Sequence, residues 1–434
     1  MTGEVAQGRG VATTAALNYA ALAFAAGAAL AANAIIAWFY SVEALGVFNQ
    51  VYAVYVVASQ FAASGIHLGV LAVSNASQTD AARREAGTEE VLPSAIAAVA
   101  LTGGATMLLL IAAAEWASQL LESPQVAAGL RTVAIALPLF AANKCFQARF
   151  TALGQMRTVA GLQTIRAVAL LAAIFGCAVL DFESTLLPAA FVVAEVAVLT
   201  AALLALERII GPLGSISQDR LAKLFRFGAG SLVGSALQEL NVRIDILVIG
   251  LLLDDAAVGI YSFAGLVAEG MLSALAVIRN MLVPRLSAVL KDPARTGLAG
   301  LVANVWSWTY PGAALAGLAA LLSLWVGLRA LYGSDSVYRD SVPLLAILLA
   351  GIVLVAGIIV FDFVFVVGDR PGLHSLMIAI SASLNVALNF ALIPLLGLAG
   401  AAIATAIATV ALGMTIVALA WFALGACLLP VRTR

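Results

Sequence analysis

Three charged side chains lie close together in one apolar stretch of the sequence, residues 227–253. Glu239, Arg243 and Asp245 occur within seven residues there, beside the polar Gln238 and Asn241. An ionisable group at the centre of a bilayer-spanning helix costs ~2.5–3.5 kcal/mol or more, so such groups usually face a protein interior or a water-filled cavity. The stretch therefore predicts a site that binds or moves charge inside a membrane protein, without bond-making chemistry.

Helical geometry separates these three charges. Glu239 and Arg243 are four residues apart and share a helical face, whereas Asp245 lies about 200° around the helix from Arg243 and needs another partner. Glu269, in the next apolar stretch, has a depth similar to that of Glu239. If the two acids approach each other with Arg243 between them, one becomes a candidate proton carrier; alternatively, each acid contacts a different neighbouring helix.

Nine ionisable residues fall inside apolar stretches in all. Four of them are cations and five are anions, so most could form ion pairs between helices. Others could extend towards the membrane interface. Arg279 is expected to reach the interface, and Asp362 is either interfacial or part of the charged set. The nine are Lys144, Arg166, Glu195, Glu239, Arg243, Asp245, Glu269, Arg279 and Asp362.

The elements that carry these residues are predicted to be membrane-spanning helices. The chain has 434 residues, is 63% hydrophobic and 10% charged, and has a mean hydropathy of +1.07, which indicates a polytopic membrane protein. A span needs about 20 residues to cross ~30 Å of hydrocarbon. Twelve spans are predicted: 14–40, 45–73, 92–114, 133–150, 159–180, 186–206, 227–253, 258–283, 301–328, 342–367, 373–393 and 401–424.

Several function classes are excluded or made less favourable by composition. Cysteine and histidine spacing builds no metal site, and no phosphate-binding loop of the ATPase type occurs, so no cofactor is expected and energy would come from H⁺, Na⁺, the membrane potential or a partner. A net charge of −1 gives no reason to expect nucleic acid as a partner. The first apolar run, which reaches Tyr40, is too long for a signal peptide and is interpreted as a retained helix.

Positive charge predicts the orientation, because Lys and Arg are retained on the cytoplasmic side. Three cations lie in odd-numbered loops, namely Arg131, Arg329 and Arg339. Both termini are therefore predicted to be cytoplasmic. Fifteen cations lie at the termini and in even-numbered loops: Arg9, Arg83, Arg84, Arg149, Arg157, Arg208, Arg220, Lys223, Arg226, Arg285, Lys291, Arg295, Arg370, Arg432 and Arg434.

An internal repeat predicts two similar halves. The segment 44–48 (ALGVF) matches 257–261 (AVGIY) at an offset of 213 residues, and the turn around Gly154 matches the turn around Gly368 at 214. Six spans return the chain to its starting side, so the halves would be parallel repeats. The predicted lobes are residues 1–206 and 227–434, joined by a cytoplasmic linker at 207–226.

The segments 227–250 and 256–262, with Gly46–Phe48 and the turn from Gly154 to Arg157, resemble the polysaccharide flippases of the Wzx type. These belong to the multidrug/oligosaccharidyl-lipid/polysaccharide exporter (MOP) superfamily. The resemblance implies an all-α protein whose two six-helix lobes surround a central cavity. It also implies a flippase that moves undecaprenyl-pyrophosphate-linked oligosaccharide across the bacterial inner membrane by alternating access, for surface polysaccharide synthesis.

The resemblance further implies that cationic and polar residues contact the pyrophosphate and sugar. Lys144, Arg166, Arg243 and Arg279 are the cations placed to do so, since Arg offers forked hydrogen bonds and Lys a point charge. The predicted substrate-binding set is Arg243, Glu239, Lys144, Arg166, Asn143 and Gln147, and the predicted coupling or structural charges are Glu269, Asp245, Asp362 and Glu195. Within this set, an Arg166–Glu195 pair that only pins helices is an equal alternative.

The implied partners are the lipid-linked oligosaccharide and membrane lipids, with polysaccharide polymerase and export proteins as further candidates. A cation-coupled multidrug exporter of the same superfamily is the alternative transport function, although four cations in the spans favour an anionic substrate. A membrane-embedded polymerase or glycosyltransferase is the alternative from another class. It would need large outer loops, and the longest predicted one, from Glu115 to Thr132, has only about eighteen residues.

Overall fold

The chain folds into α-helices over the part that can be described. The computed structural model describes residues 2–79, 91–209, 216–292, 297–333 and 336–429, and within these ranges it contains no strand. Two 3₁₀ turns, Ser184–Leu186 and Val337–Asp340, precede α8 and α12. The helices are α1 (Thr2–Phe39), α2 (Val42–Ala63), α3 (Ile66–Thr79), α4 (Val91–Leu120), α5 (Pro124–Ala134), α6 (Ala136–Ala152), α7 (Met156–Val179), α8 (Ala189–Ile209), α9 (Gln218–Leu252), α10 (Asp255–Lys291), α11 (Leu298–Tyr332), α12 (Ser341–Ile359), α13 (Val364–Val367), α14 (Pro371–Leu396) and α15 (Leu398–Leu424).

The chain divides into two compact units, Met1–Glu239 and Leu240–Arg434. The boundary between them falls inside α9, which is one continuous helix. The predicted position of the linker, residues 207–226, stays a prediction, because 210–215 lie outside the described residues. The predicted loop cations Arg83, Arg84, Arg295, Arg432 and Arg434 also lie outside them.

The chain is a multi-pass membrane protein, but the predicted count of twelve spans is not confirmed. Among the described residues, nine helical segments are long and apolar enough to cross a membrane, or ten if the bent pair α5–α6 counts as one span. The other two predicted spans fall on α1, of which Ala23–Phe39 is a described apolar segment, and on the charge-bearing α9. Neither is confirmed as a span.

Three predicted spans are each divided between two helices, one of them being 342–367, which is divided between α12 and α13. The stretch 45–73 is divided between α2 and α3 by Ser64 and Gly65, whose φ angles are 44° and 63°. A right-handed α-helix requires negative φ, so it cannot continue through two residues with positive φ. The stretch 133–150 begins in α5 and continues as α6 after a 42° bend.

The same helix start occurs twice, 213 residues apart. The Ala44 N–H donates to Ser41 Oγ at 3.3 Å at the start of α2, and the Ala257 N–H donates to Asp254 Oδ1 at 2.7 Å at the start of α10. Ser and Asp are both favourable N-cap residues because their side-chain oxygens accept from an otherwise unpaired amide. Each unit therefore begins one of its helices with the same local geometry at the spacing that the sequence repeat predicts.

A second pair of turns corresponds at a slightly different spacing. Gly154 after α6 and Asp369 after α13 have φ angles of 71° and 58°, and in each turn the following N–H donates to the carbonyl five residues earlier at 2.8 Å. The matching left-handed residues are 215 positions apart, one more than the alignment of Gly154 with Gly368 predicts. The sequence match was wrong by one residue because Asp takes the left-handed position in the second turn, where Gly is the expected residue.

Candidate functional site

Helix α6 carries three of the predicted substrate-binding residues, and its position depends on a close contact with α4. A Cβ placed on Gly103 of α4 would lie 2.7 Å from Pro138 Cα. Pro138 is in the first turn of α6, where proline is tolerated because no intrahelical bond is lost. The pairing of glycine with proline therefore lets α4 pack directly against the backbone of α6 just after the bend.

Glu195 of α8 connects α6 and α7 within the first unit. Its carboxylate accepts from Asn143 Nδ2 at 2.7 Å and from Arg166 Nη2 at 3.0 Å, and Arg166 Nε lies 2.8 Å from Oε1. Asn143 also donates to the Glu195 carbonyl at 3.0 Å. Glu195 is only 3% exposed, so the expected Arg166–Glu195 pair exists and is largely shielded from solvent.

Lys144 projects from the same helix without such a counterion. Within the described residues its ammonium makes no hydrogen bond or ion pair; it lies 5.3 Å from the centre of the Phe140 ring, and the Arg166 guanidinium lies 5.5 Å from the same ring. The charges of Arg166, Glu239 and Glu195 also act on Lys144. Because Glu195 neutralises Arg166 directly, Lys144 is the cation of this group that is available to an anionic ligand.

Two amides beside Lys144 keep unused hydrogen-bonding atoms. Asn143 Oδ1 and Gln147 Nε2 are buried and have no hydrogen-bond partner among the described residues. Buried amide atoms normally have partners, and an exception calls for a ligand, a water or a change of state. Asn143, Lys144 and Gln147 are neighbours on α6, and their contact with substrate stays a prediction.

In the second unit, Arg243 of α9 pairs with Glu269 of α10. Arg243 Nη2 lies 2.7 Å from Glu269 Oε1, and the side chains are 14% and 32% exposed. Glu239, four residues before Arg243 on the same helix, belongs to the first unit. The expected neutralisation of Glu269 by Arg243 is thus present in the geometry.

Asp245 has a different environment, in which its hydrogen-bond partners among the described residues are neutral. Its Oδ2 accepts from Tyr261 Oη at 3.0 Å and from Thr405 Oγ1 at 2.7 Å, and its Oδ1 accepts from Asn385 Nδ2 at 3.0 Å and from Asn389 Nδ2 at 3.2 Å. The residue is 7% exposed, and no cation among the described residues pairs with it. Four helices, α9, α10, α14 and α15, supply this set, which confirms that Asp245 faces partners other than Arg243.

Arg279 and Asp362 form the remaining intramembrane pair. Arg279 Nη1 lies 2.8 Å from Asp362 Oδ2, with side chains 19% and 15% exposed, and the guanidinium lies 4.1 Å from the centre of the Phe363 ring. The expectation that Arg279 extends to the interface stays a prediction, to which the structure adds Asp362 and an aromatic face as its contacts. Arg149, placed by the sequence among the loop cations, is also buried on α6, and its Nη1 donates to Ser74 Oγ at 3.4 Å.

Sequence reasoning missed Tyr261 and Thr405 as partners of Asp245. The available signal was the spacing of Asn385 and Asn389, which puts two amides on one face of α14, together with a carboxylate that had no assigned cation. Among the described residues, no group of three or more His, Cys, Asp or Glu side chains converges as metal ligands. The set around Asp245 instead combines one carboxylate with neutral oxygens and amides.

The fold is that of known transporters and flippases. An inward-facing multidrug resistance MATE family transporter of the MOP superfamily is 12% identical, with 92% of this chain and 94% of that chain aligned and a TM-score of 0.74. The lipid II flippase MurJ in an inward closed conformation is 13% identical, over 92% and 86% of the two chains, with a TM-score of 0.69. The Vibrio cholerae MATE transporter VcmN is 11% identical, over 95% and 97%, with a TM-score of 0.61.

At these identities the structural likeness establishes the two-lobed fold, and the sequence establishes the family. No curated protein matches the sequence. A family model described as "Polysaccharide biosynthesis protein" matches residues 82–303, about half of the chain. The expected resemblance to polysaccharide flippases is thereby confirmed, and the protein belongs to the polysaccharide biosynthesis protein family, with the fold of the MOP superfamily of transporters and flippases.

Proposed function

We propose that the protein transports a lipid-linked oligosaccharide, joined to its polyprenyl carrier by pyrophosphate, from the inner to the outer leaflet of the bacterial cytoplasmic membrane. It does so as a binding protein that alternates between two accessible states, without making or breaking covalent bonds. Both termini lie in the cytoplasm in this proposal. The family match and the flippase fold support a transport role in polysaccharide synthesis.

The observation that carries the proposal is the Lys144 group in the first unit. Among the residues that the structure describes, Lys144 has no direct counterion, and buried amide atoms of Asn143 and Gln147 have no hydrogen-bond partner. A pyrophosphate offers several oxygen acceptors to an ammonium and to an amide N–H, and sugar hydroxyls act as both donors and acceptors. The Asn143 oxygen accepts from a hydroxyl, and the Gln147 amide donates to an oxygen.

Glu195 contributes by positioning rather than by binding substrate. It fixes Asn143 and Arg166 at short distances from α8, so α6 presents Lys144 from a helix whose neighbours are held in place. Preorganised groups lose less conformational entropy when a ligand binds. Arg166, which is 26% exposed, remains able to offer its outer N–H groups to the same anion.

We further propose that Asp245 is the coupling site for H⁺ or Na⁺. Glu195, Glu269 and Asp362 each have an arginine partner, whereas the contacts of Asp245 are with hydroxyl and amide groups. A buried carboxylate surrounded by neutral groups gains most from a bound cation. The Asn389 Oδ1 atom is buried and has no hydrogen-bond partner in the described part of the chain. It supplies an additional oxygen of the kind that hard cations bind.

Reconstituted protein tests the transport function directly. Vesicles containing the lipid-linked repeat unit in one leaflet are expected to lose that asymmetry with the wild-type protein and with Arg157→Gln, which removes an exposed cation of the same unit. Lys144→Gln is expected to abolish transport, and Lys144→Arg to restore part of it. Full transport by Lys144→Gln would remove this residue from the binding site.

A deletion strain tests the substrate class. The strain is expected to accumulate lipid-linked repeat unit on the inner leaflet and to lack the surface polysaccharide. Normal crossing of the repeat unit without this protein would refute the flippase function. Export of unrelated cationic drugs by the reconstituted protein would instead favour the multidrug exporter.

A further inference from the structure

A groove between α3 and the first part of α9 belongs to neither the Lys144 group nor the Asp245 group. It lies entirely within the first unit and has a volume of about 470 Å³. Two cationic side chains line it beside apolar ones. Its lining residues are Gly69, Val73, Lys223, Leu224, Arg226 and Phe227.

The length of α9 places the cations of the groove at the edge of the apolar layer. The helix has 35 residues, so it is about 52 Å long and exceeds the ~30 Å of hydrocarbon that a span must cross. Its apolar part begins at Phe227, and Lys223 and Arg226 come within the preceding turn. The predicted span 227–253 would place these two side chains at the depth of lipid phosphate groups, on the side that the distribution of Lys and Arg predicts to be cytoplasmic.

The floor of the groove is fixed by two close helix contacts. A Cβ on Gly69 would lie 2.9 Å from Leu224 Cδ2, and a Cβ on Gly228 would lie 2.1 Å from the Ser64 carbonyl oxygen. Leu224 is 2% exposed. The start of α9 is thus packed directly against α3 and the break between α2 and α3, so the groove has defined walls.

The two cationic side chains above this floor are accessible. Lys223 and Arg226 are exposed, and within the described residues neither makes an ion pair or a side-chain hydrogen bond. Val73 and Phe227 beside them are 40% and 49% exposed. Cations next to an apolar strip at a membrane edge match the charge and polarity of a phosphate joined to an acyl chain.

We propose that this groove binds one anionic phospholipid of the cytoplasmic leaflet, with its phosphate on Lys223 and Arg226 and an acyl chain along Val73 and Phe227. The site holds a lipid of the surrounding membrane rather than the transported molecule, and it is separate from the Lys144 group. Bound lipid would join the start of α9 to α3 through both its charged and its apolar ends. The interaction goes beyond the transport function proposed above and does not depend on it.

Lipid retention by the purified full-length protein tests this site. Native mass spectrometry after exchange into mixed phosphatidylglycerol and phosphatidylcholine is expected to show one tightly held phosphatidylglycerol on the wild-type protein. Lys223→Gln combined with Arg226→Gln is expected to weaken that binding about thirtyfold, the effect of removing two cations that contact anionic lipid. Both positions are exposed, and an unchanged gel-filtration profile checks that the variant is folded.

A matched variant separates a specific site from a general charge effect. Arg157→Gln combined with Lys291→Gln removes two exposed cations elsewhere and is expected to bind phosphatidylglycerol as the wild type does. Equal loss in this control, wild-type binding by the groove variant, or equal retention of phosphatidylcholine would each overturn the proposal. So would displacement of the lipid by soluble glycerophosphoglycerol at equal concentration, because the acyl chain would then contribute nothing.

Discussion

Arg166 and Glu195 form a fork, with Arg166 Nε 2.8 Å from Glu195 Oε1 and Arg166 Nη2 donating to Oε2 at 3.0 Å. The carboxylate side chain is 4% exposed, so its loss would leave an arginine partly buried without a counterion. Removing one partner of a buried pair typically costs ~3–5 kcal/mol. We expect Glu195→Ala to lower the thermal unfolding temperature in detergent by several degrees.

An exposed ion pair in the same unit provides the control for that measurement. Arg131 and Glu115 are paired, with side chains 50% and 63% exposed, and such pairs are worth about 0–1 kcal/mol. Glu115→Ala should therefore change the unfolding temperature little. If the two variants unfolded at the same temperature, the Arg166–Glu195 pair would not be a fixed part of the site.

Adjacent glycines in α4 allow a test of the contact that positions α6. A Cβ at Gly103 would be 2.7 Å from Pro138 Cα, whereas a Cβ at Gly104 would meet nothing within 4 Å. Gly103→Ala should destabilise the protein by about 1–3 kcal/mol through overpacking and reduce transport by moving Lys144. Gly104→Ala should be neutral or stabilise the helix by up to about 1 kcal/mol. Thermal unfolding and transport measured on both variants check the prediction, and equal effects would contradict it.

The proposed role of Asp245 as the coupling site predicts that a bound cation raises the free energy of unfolding. A ligand that binds only the folded state raises stability by mass action, by about 2.7 kcal/mol at a concentration one hundred times its dissociation constant. We expect NaCl to raise the unfolding temperature above the value in choline chloride of equal ionic strength, if Na⁺ is the ion, and a proton gradient to drive transport, if H⁺ is. Asp245→Asn should abolish whichever response the wild type shows.

Glu269→Gln is the matched control for the coupling ion, because Arg243 already neutralises Glu269 at 2.7 Å. This variant should keep the response to Na⁺ or to the proton gradient. Loss of the response in Glu269→Gln, together with its retention in Asp245→Asn, would assign coupling to Glu269 instead.

A double substitution distinguishes two possible roles of Arg243, which are substrate binding and neutralisation of Glu269. Arg243→Ala should reduce transport strongly, and part of any loss of abundance would come from the uncompensated charge of Glu269. Arg243→Gln combined with Glu269→Gln removes both charges and should restore abundance, measured by fluorescence of a fused reporter. The sequence predicts that Arg243 contributes to substrate binding, so we expect transport to remain low in the double variant. Full recovery would show that Arg243 only neutralises Glu269.

The sequence predicted the helical, multi-pass architecture and the family because apolar runs of about 20 residues and a 213-residue repeat are local or periodic signals. It did not predict the break at Ser64 and Gly65, since Ser is rarely left-handed and the conformation depends on how α2 and α3 pack. The count of spans stayed uncertain where α9 carries charge, because hydropathy cannot distinguish a charged span from an interfacial helix.

Pairings between distant helices were predictable only in part. The face of α9 that Asp245 occupies followed from helical geometry, yet Tyr261 and Thr405 became its partners through the rotation of α10 and α15, which no local spacing determines. The partner of Arg279 was also not predictable from local spacing, because Asp362, which accepts from Arg279 Nη1 at 2.8 Å, lies 83 residues later in the chain.

The two matching helix starts make parts of this chain exchangeable. Ser41 and Asp254 give the same N-cap geometry with different side chains, and the buried aromatic residue seven positions later is Phe48 in one unit and Tyr261 in the other. A chimera that carries residues 41–47 in place of 254–260 would keep the cap, the helix direction and Tyr261. Such a chimera would exchange the N-cap and the start of the helix as one segment. The side chains at the start of α10 would change, while the Tyr261 hydroxyl that donates to Asp245 would stay in the chain.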